Sequence, residues 1–190
     1  MTGEGAVPLI LQTPRLLLRR LELADAAALF AYRSDPEVLR FQLWEPQDVA
    51  AVRAFIAELL ALEPAAPGSW YQLAITVRES GVLIGDLGLH FPLDEPQQAE
   101  IGITLAPAWQ GQGYATEALT AALAYLFDTL DCHRVYARAD ARNRASIALL
   151  ERVGMRQEGH LRESTWARGE WTDDVLYAIL AQEWQEHPAF

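Results

Sequence analysis

Residues 109–118, WQGQGYATEA, set two glycines and two glutamines directly ahead of an apolar-periodic segment. The start of a helix leaves several N–H groups unpaired and carries a partial positive charge. Glycine, having no Cβ, lets a ligand approach the main chain. With Gly111 and Gly113 leaving room, the N–H groups from about Gln112 through Gly113, Tyr114 and Ala115 to Thr116 can therefore converge on phosphate oxygens. A magnesium-dependent nucleotide loop would need Lys-Ser or Lys-Thr after the glycines, and neither follows. A dinucleotide fingerprint needs three glycines early in a strand–helix repeat; here there are two, after a region that alternates like antiparallel hairpins. A metal-free diphosphate cradle remains, beside the plainer alternative of a tight turn capped by Thr116.

Other reactive side chains are sparse. The single cysteine, Cys132, excludes an internal disulfide framework and reads as a small core residue. His90, His133, His160 and His187 have no ligand spacing, so no metal is expected. The net charge of −11 disfavours nucleic acid and anionic membranes as partners. It suits a cationic partner such as an amine, a polyamine or a basic protein, or serves solubility alone. No apolar run is long enough to span a bilayer, and the opening MTGEGAVPLILQTPR does not read as a secretory signal. A cytoplasmic protein is expected.

The elements that must position the glycine stretch follow from periodicity. The 190 residues suit one domain, 1–190, with a core of about 9–182. PRLLLRRL reads as a first strand; Asp25 caps a helix running to about Ser34, and residues 47–62 form a second helix ended by EPAAPGS. WYQLAITV alternates, turns at ESG, and pairs with VLIGDLGLHF. AEIGITL alternates again, with Ile101, Ile103 and Leu105 against Glu100, Gly102 and Thr104. After the glycines, Ala115, Leu119, Ala122, Leu123, Leu126, Phe127 and Leu130 form one helical stripe. A strand at 134–139, a helix at 145–153 and strands near 158–165 and 175–180 complete the chain. Hairpins first and strand–helix alternation later give a mixed α/β (α+β) sheet with helices on both faces.

Gln110-x-x-Gly113-x-Ala115 fits the Q/R-x-x-G-x-G/A signature of the GNAT superfamily of N-acetyltransferases. NRASIALLERVGM resembles the superfamily's second motif, and GEWTDDVLYAIL is similar to the branch of ribosomal-protein N-terminal (alanine/serine) acetyltransferases. The resemblance covers about residues 9–180 in order of elements, and its specific part is 99–155. It implies a GNAT fold: a mostly antiparallel sheet of about six to seven strands, splayed between the fourth and fifth. It implies acetyl-coenzyme A as cosubstrate, no metal, and a primary amine as acceptor, either a protein or peptide N-terminal α-amine or a small amine. Family members also commonly pair into homodimers.

The resemblance also assigns roles. The backbone at 111–116 would hold the diphosphate, with Gln110 replacing the motif arginine. The strand before the motif would bend at a bulge, and Ile103, Thr104 and Leu105 would pair with the pantetheine arm. Asn143 matches a cofactor-contacting asparagine and is equally a good N-cap; Arg138, Arg142 and Arg144 cluster near the same loop and could meet the ribose phosphate. The tyrosine that often protonates the leaving thiolate is missing, with Leu149 and Leu150 in that stretch. Ser146 is then the candidate hydrogen-bond donor to sulfur, or a capping residue within its own helix. A cationic amine must lose a proton before attack, so a base is needed. Glu163 and Glu100 are the candidates, each also readable as a solvated strand residue. Asp173 and Asp174 could bind a cationic acceptor, and Trp44, Trp166 and Trp171 could wall its groove. The uncertain base and absent tyrosine leave one alternative: an acyl-coenzyme A binding or sensing protein without turnover.

Overall fold

The computed structural model describes residues 9–62, 66–95 and 97–186. The expectations for the amino-terminal stretch, the helix-ending prolines at 64 and 67 and His187 fall wholly or partly outside those residues. Strands β1 (Leu11–Gln12), β2 (Leu16–Arg20), β3 (Ser69–Val77), β4 (Leu83–Phe91) and β5 (Gln98–Leu105) precede the glycine stretch. Strands β6 (Arg134–Asp140), β7 (Arg156–Ala167) and β8 (Glu170–Leu180) follow it. Among the described residues they form one eight-stranded sheet in the order β1-β2-β3-β4-β5-β6-β8-β7. Every neighbouring pair is antiparallel except β5 and β6. The expected six to seven strands become eight, because the two-residue β1 adds a short ladder from Leu11 to Leu18 that no hydrophobic pattern announces.

Helices α1 (Ala26–Arg33), α2 (Pro36–Leu39) and α3 (Val49–Leu60) lie between β2 and β3. Helix α4 (Tyr114–Ala124) follows β5, α5 (Arg144–Arg152) follows β6 and α6 (Ala181–Glu186) follows β8. Asp48 caps α3 through its side chain, accepting from Ala51 N–H at 2.7 Å. Asp25 is the N-cap of α1 as expected, but its side chain accepts from the Glu22 N–H instead, closing the capping box of a short 3-10 turn (Leu23–Asp25). The stripe on α4 is core from Leu119 to Phe127, where the helix widens into a π-helical turn (Tyr125–Thr129).

Alternation along β3 explains why helices lie on both faces. Leu73 and Ile75 join the larger apolar cluster with Leu119 and Leu123 of α4, while Ala74 joins the smaller one with Leu29, Val52 and Ile56 of α1 and α3. Successive strand residues point to opposite faces, so the two clusters sandwich the sheet.

Candidate active site

Strands β5 and β6 pair only at Gln98↔Arg134, Ala99↔Val135 and Glu100↔Tyr136. Beyond Glu100 they part. β6 stays on β8 as far as Asp140↔Asp174, and β5 stays on β4 as far as Leu105↔Gly85. The expected splay is therefore present. The expected bulge is not, since the β4–β5 register runs unbroken. Close approach keeps β5 on β4: a Cβ at Gly85 would lie 2.3 Å from the Thr104 carbonyl oxygen. The open wedge leaves backbone groups of residues 101–105 without a strand partner on the β6 side.

The glycine stretch closes the end of this wedge. Gly113 is the N-cap of α4 with φ +82°, and the first helical bond runs from Glu117 N–H to the Gly113 carbonyl. The N–H groups ahead of it have no helical carbonyl to meet. A Cβ at Gly111 would meet nothing within 4 Å, so the turn presents bare backbone to open space. The Gln110 side-chain amide donates to the Leu105 carbonyl (2.9 Å), tying the turn to β5. Arg15 braces it from outside, donating to the Gln112 carbonyl (3.1 Å), lying 4.3 Å over the Tyr114 ring and pairing with Glu117 at 2.6 Å. Burial acts to raise the Glu117 pKa, but hydrogen bonds from Thr13 and Arg15 outweigh it and hold the carboxyl below its ordinary value.

A groove of about 1130 Å³ runs along this turn. Ile103, Thr104, Leu105, Gln110, Gly111, Gly113, Ala115, Thr116, Asn143 and Ser146, all expected from sequence, line it. The side chains of Gln112 and Tyr114 turn away. The arginine lining the groove is Arg152, with Nη1 3.4 Å from Thr116 Oγ1. Arg142 is engaged by Asp140 and Glu170, each at 2.7 Å, and Arg138 and Arg144 do not line this groove. Arg152 was legible as the last member of an α5 face, Ala145, Ala148, Leu149 and Arg152, which the groove shares.

A second cavity, about 650 Å³, opens on the other side of the wedge. Trp44, Trp70, Phe55, Glu100, Gly102, Arg138 and Asp174 are among its lining residues. Phe41, Gln42, Ile103, Thr104, Asn143 and Ser146 line both spaces. Two cavities thus meet at the mouth of the splay. Asn143 caps α5 there, its Oδ1 accepting from Ser146 N–H at 3.1 Å, which leaves the Ser146 hydroxyl at the junction.

The two candidate bases separate. Glu100 is the last paired residue of β5 and lines the smaller cavity. Burial raises its pKa, against the opposing pull of Arg138, His90 and the Tyr136 hydroxyl. His90 Nδ1 lies 3.9 Å from its carboxylate, with the imidazole stacked on Trp70. Glu163 corrects the sequence expectation. It sits at φ +47° in a register irregularity of the β7–β8 hairpin, exposed, and lines neither cavity. Asp173 and Asp174 also divide, as successive strand residues must. Asp173 pairs with His160 at 2.7 Å, while Asp174 lines the smaller cavity and accepts from Thr165 Oγ1 at 2.6 Å. Trp166 and Trp171 stack edge-on at 5.3 Å on the exposed hairpin face and line neither space. Burial pushes the Cys132 thiol up, as befits an unreactive core residue.

The acetyltransferase (GNAT) domain family matches residues 15–156. The chain belongs to the GNAT acetyltransferases. This acetyltransferase is 35% identical over 177 residues, 92% of the chain and 97% of its relative, to a Bacillus licheniformis protein named the uncharacterized N-acetyltransferase p20. It is 37% identical over 84 residues, 44% of the chain and 43% of the relative, to the ribosomal protein uS5-alanine N-acetyltransferase of Escherichia coli. The structure described as Mycobacterium smegmatis RimJ in complex with CoA-disulfide superposes with a TM-score of 0.80 at 27% identity, covering 93% of this chain and 88% of that one. The reaction of the acetyltransferase is transfer of an acetyl group from acetyl-coenzyme A to an amine.

Proposed function

We propose that acetyl-coenzyme A enters along the larger groove and the amine along the smaller cavity, and that the amine attacks the thioester directly where the two meet. The observation carrying this is the set of residues common to both spaces, Ile103, Thr104, Asn143 and Ser146 among them. The groove fits the cosubstrate on its own geometry. Bare amides at 111–116 would hold the diphosphate, and Arg152 adds a cation beside them. The unpaired edge of β5 at Ile103, Thr104 and Leu105 would hydrogen-bond the pantetheine arm as an added strand does.

Bound acetyl-coenzyme A supplies the thioester. Glu100, four residues and so about 13 Å along β5 from Thr104, takes the proton of the incoming ammonium through water in the smaller cavity, its raised pKa bringing it nearer to the operating pH than an ordinary carboxylate. A β5 N–H in the wedge donates to the carbonyl oxygen as charge builds there. The Ser146 hydroxyl donates to the departing sulfur. The acceptor is a protein or peptide α-amine or a small amine. The net charge of −11 favours a cationic acceptor, and the uS5-alanine relative supports the α-amine.

The test is incubation with acetyl-coenzyme A and a panel of peptide and small amines, following thiol release, alongside thermal melting with coenzyme A. The expected outcome is a raised Tm and thiol release with at least one amine. Cofactor stabilisation without any transfer would mark a sensing protein instead, and no stabilisation at all would remove both readings.

A further inference from the structure

A glycine inside a strand loses more chain entropy on folding than other residues and packs nothing. Folds keep one where φ is positive, where a Cβ would collide, or where a ligand comes close. Gly102, in β5, meets neither of the first two conditions. Its φ is not positive, and a Cβ built there would find no atom within 4 Å. Gly88, its partner across the β4–β5 ladder, is the opposite case. A Cβ there would fall 2.9 Å from both Trp70 Cε3 and Gln72 Oε1, so neighbouring side chains already fill the space. Gly85 is crowded by Thr104, and at Gly159 a Cβ would touch Leu176 at an ordinary 3.8 Å. Among the described glycines, only Gly102 has neither a positive φ nor a neighbour. It is exposed and lines the smaller cavity but not the larger groove.

We propose that Gly102 is the specificity-determining residue of the acceptor cavity, and that the space left by its missing side chain seats the substituent on the amine-bearing carbon of the acceptor. This rests on the transfer reading above. Glu100, Gly102 and Thr104 share one face of β5. Thr104 is at the junction where the amine reacts, and Glu100, four residues back along the strand, receives its proton through water in the smaller cavity. A group on the carbon that carries this nitrogen lies over the stretch between them, which is Gly102. The acceptor class is a primary amine on a branched carbon; an unbranched amine leaves this space to water.

The experiment is Gly102→Val in the full chain. Valine suits a strand and its Cβ meets no neighbour within 4 Å here, so the variant is expected to fold, which its Tm checks. Calorimetric affinity for coenzyme A stays at the wild-type value. The readout is the ratio of kcat/KM for a glycine-first peptide to that for otherwise identical alanine- and leucine-first peptides, with an unbranched alkylamine as reference. Filling the space raises that ratio roughly tenfold or more and ranks the losses by substituent size. An unaltered ratio, a loss equal for every acceptor including the alkylamine, or weakened coenzyme A binding overturns the proposal. A wild-type protein that acetylates no amine overturns the transfer reading too, and does so before any variant is made.

Discussion

Glu100 shows how much of a residue's chemistry comes from where a ladder ends. It occupies the last register pair before β5 and β6 separate, so its carboxyl is half-buried and still faces a cavity. Burial raises its pKa, and a raised base loses its charge at a higher pH than a free carboxylate. Activity is therefore expected to fall on acidification through a pKa above the ordinary 4.5. Glu100→Gln is expected to remove that acidic limb and lower kcat/KM by roughly a hundredfold or more, with coenzyme A affinity retained. The pH–rate profiles of both forms check it, and an intact acidic limb in the variant would assign the base elsewhere. Glu100 was legible in the sequence because AEIGITL alternates cleanly. Glu163 is a candidate only through the family resemblance, and the register irregularity between Leu161 and Thr165 sets it on the exposed hairpin, away from both cavities. Arg152 does not stand out in the sequence because other arginines lie nearer the loop, yet Arg142 among them is already neutralised by two carboxylates.

The element that matters most is the turn into α4. Gly113 takes φ +82°, and a Cβ there would press to 3.3 Å from Arg15 Nη2. Gly113→Ala is expected to cost about 1–2 kcal/mol of stability from the left-handed backbone. It should also weaken coenzyme A binding, because the amides would lose their alignment. Denaturant melts and calorimetry check both, and unchanged affinity would detach the turn from the diphosphate. The brace behind it has its own pH dependence. Glu117 has a depressed pKa, so its contribution is complete above the unfolded carboxylate range and disappears as pH falls through the lowered value. Elements with strong apolar alternation, β3 to β5, and the α4 stripe could be read from sequence nearly to the residue. The β7–β8 hairpin could not. Its ladder extends from Ala167 and Glu170 through residues exposed on β7, so backbone pairing and not burial sets its length.

At the scale of the molecule, one buried polar cluster joins the two layers beneath the smaller cavity. Asp86, 1% exposed, pairs with Arg33 of α1 and accepts from Tyr32 Oη at 2.5 Å and from the Gln72 side chain. Burial first, and the Asp86 carboxylate second, hold the Tyr32 phenol well above its usual pKa. Arg33 also donates to Gln42 Oε1 at 2.8 Å, and Gln42 lines both cavities. Asp86→Ala strands the guanidinium and is expected to cost about 3–5 kcal/mol. That corresponds to a Tm drop of roughly 6–20 °C for a chain of this size, read by calorimetry. A drop of only a degree or two would mean the cluster is not a structural tie. No pattern in the sequence announces this cluster, because its members come from α1, β3 and β4 and meet only once the layers are stacked.

Arg168 reaches from the β7–β8 hairpin to the last residue of α2 and the segment that follows it. It donates to the carbonyls of Leu39 (2.9 Å) and Gln42 (3.2 Å) and pairs with Glu45 at 3.0 Å. The chain thereby forms a closed loop in space between residues more than a hundred positions apart. This crossbar ties together two of the segments that wall the smaller cavity, residues 40–44 on one side and Thr165 and Ala167 on the other.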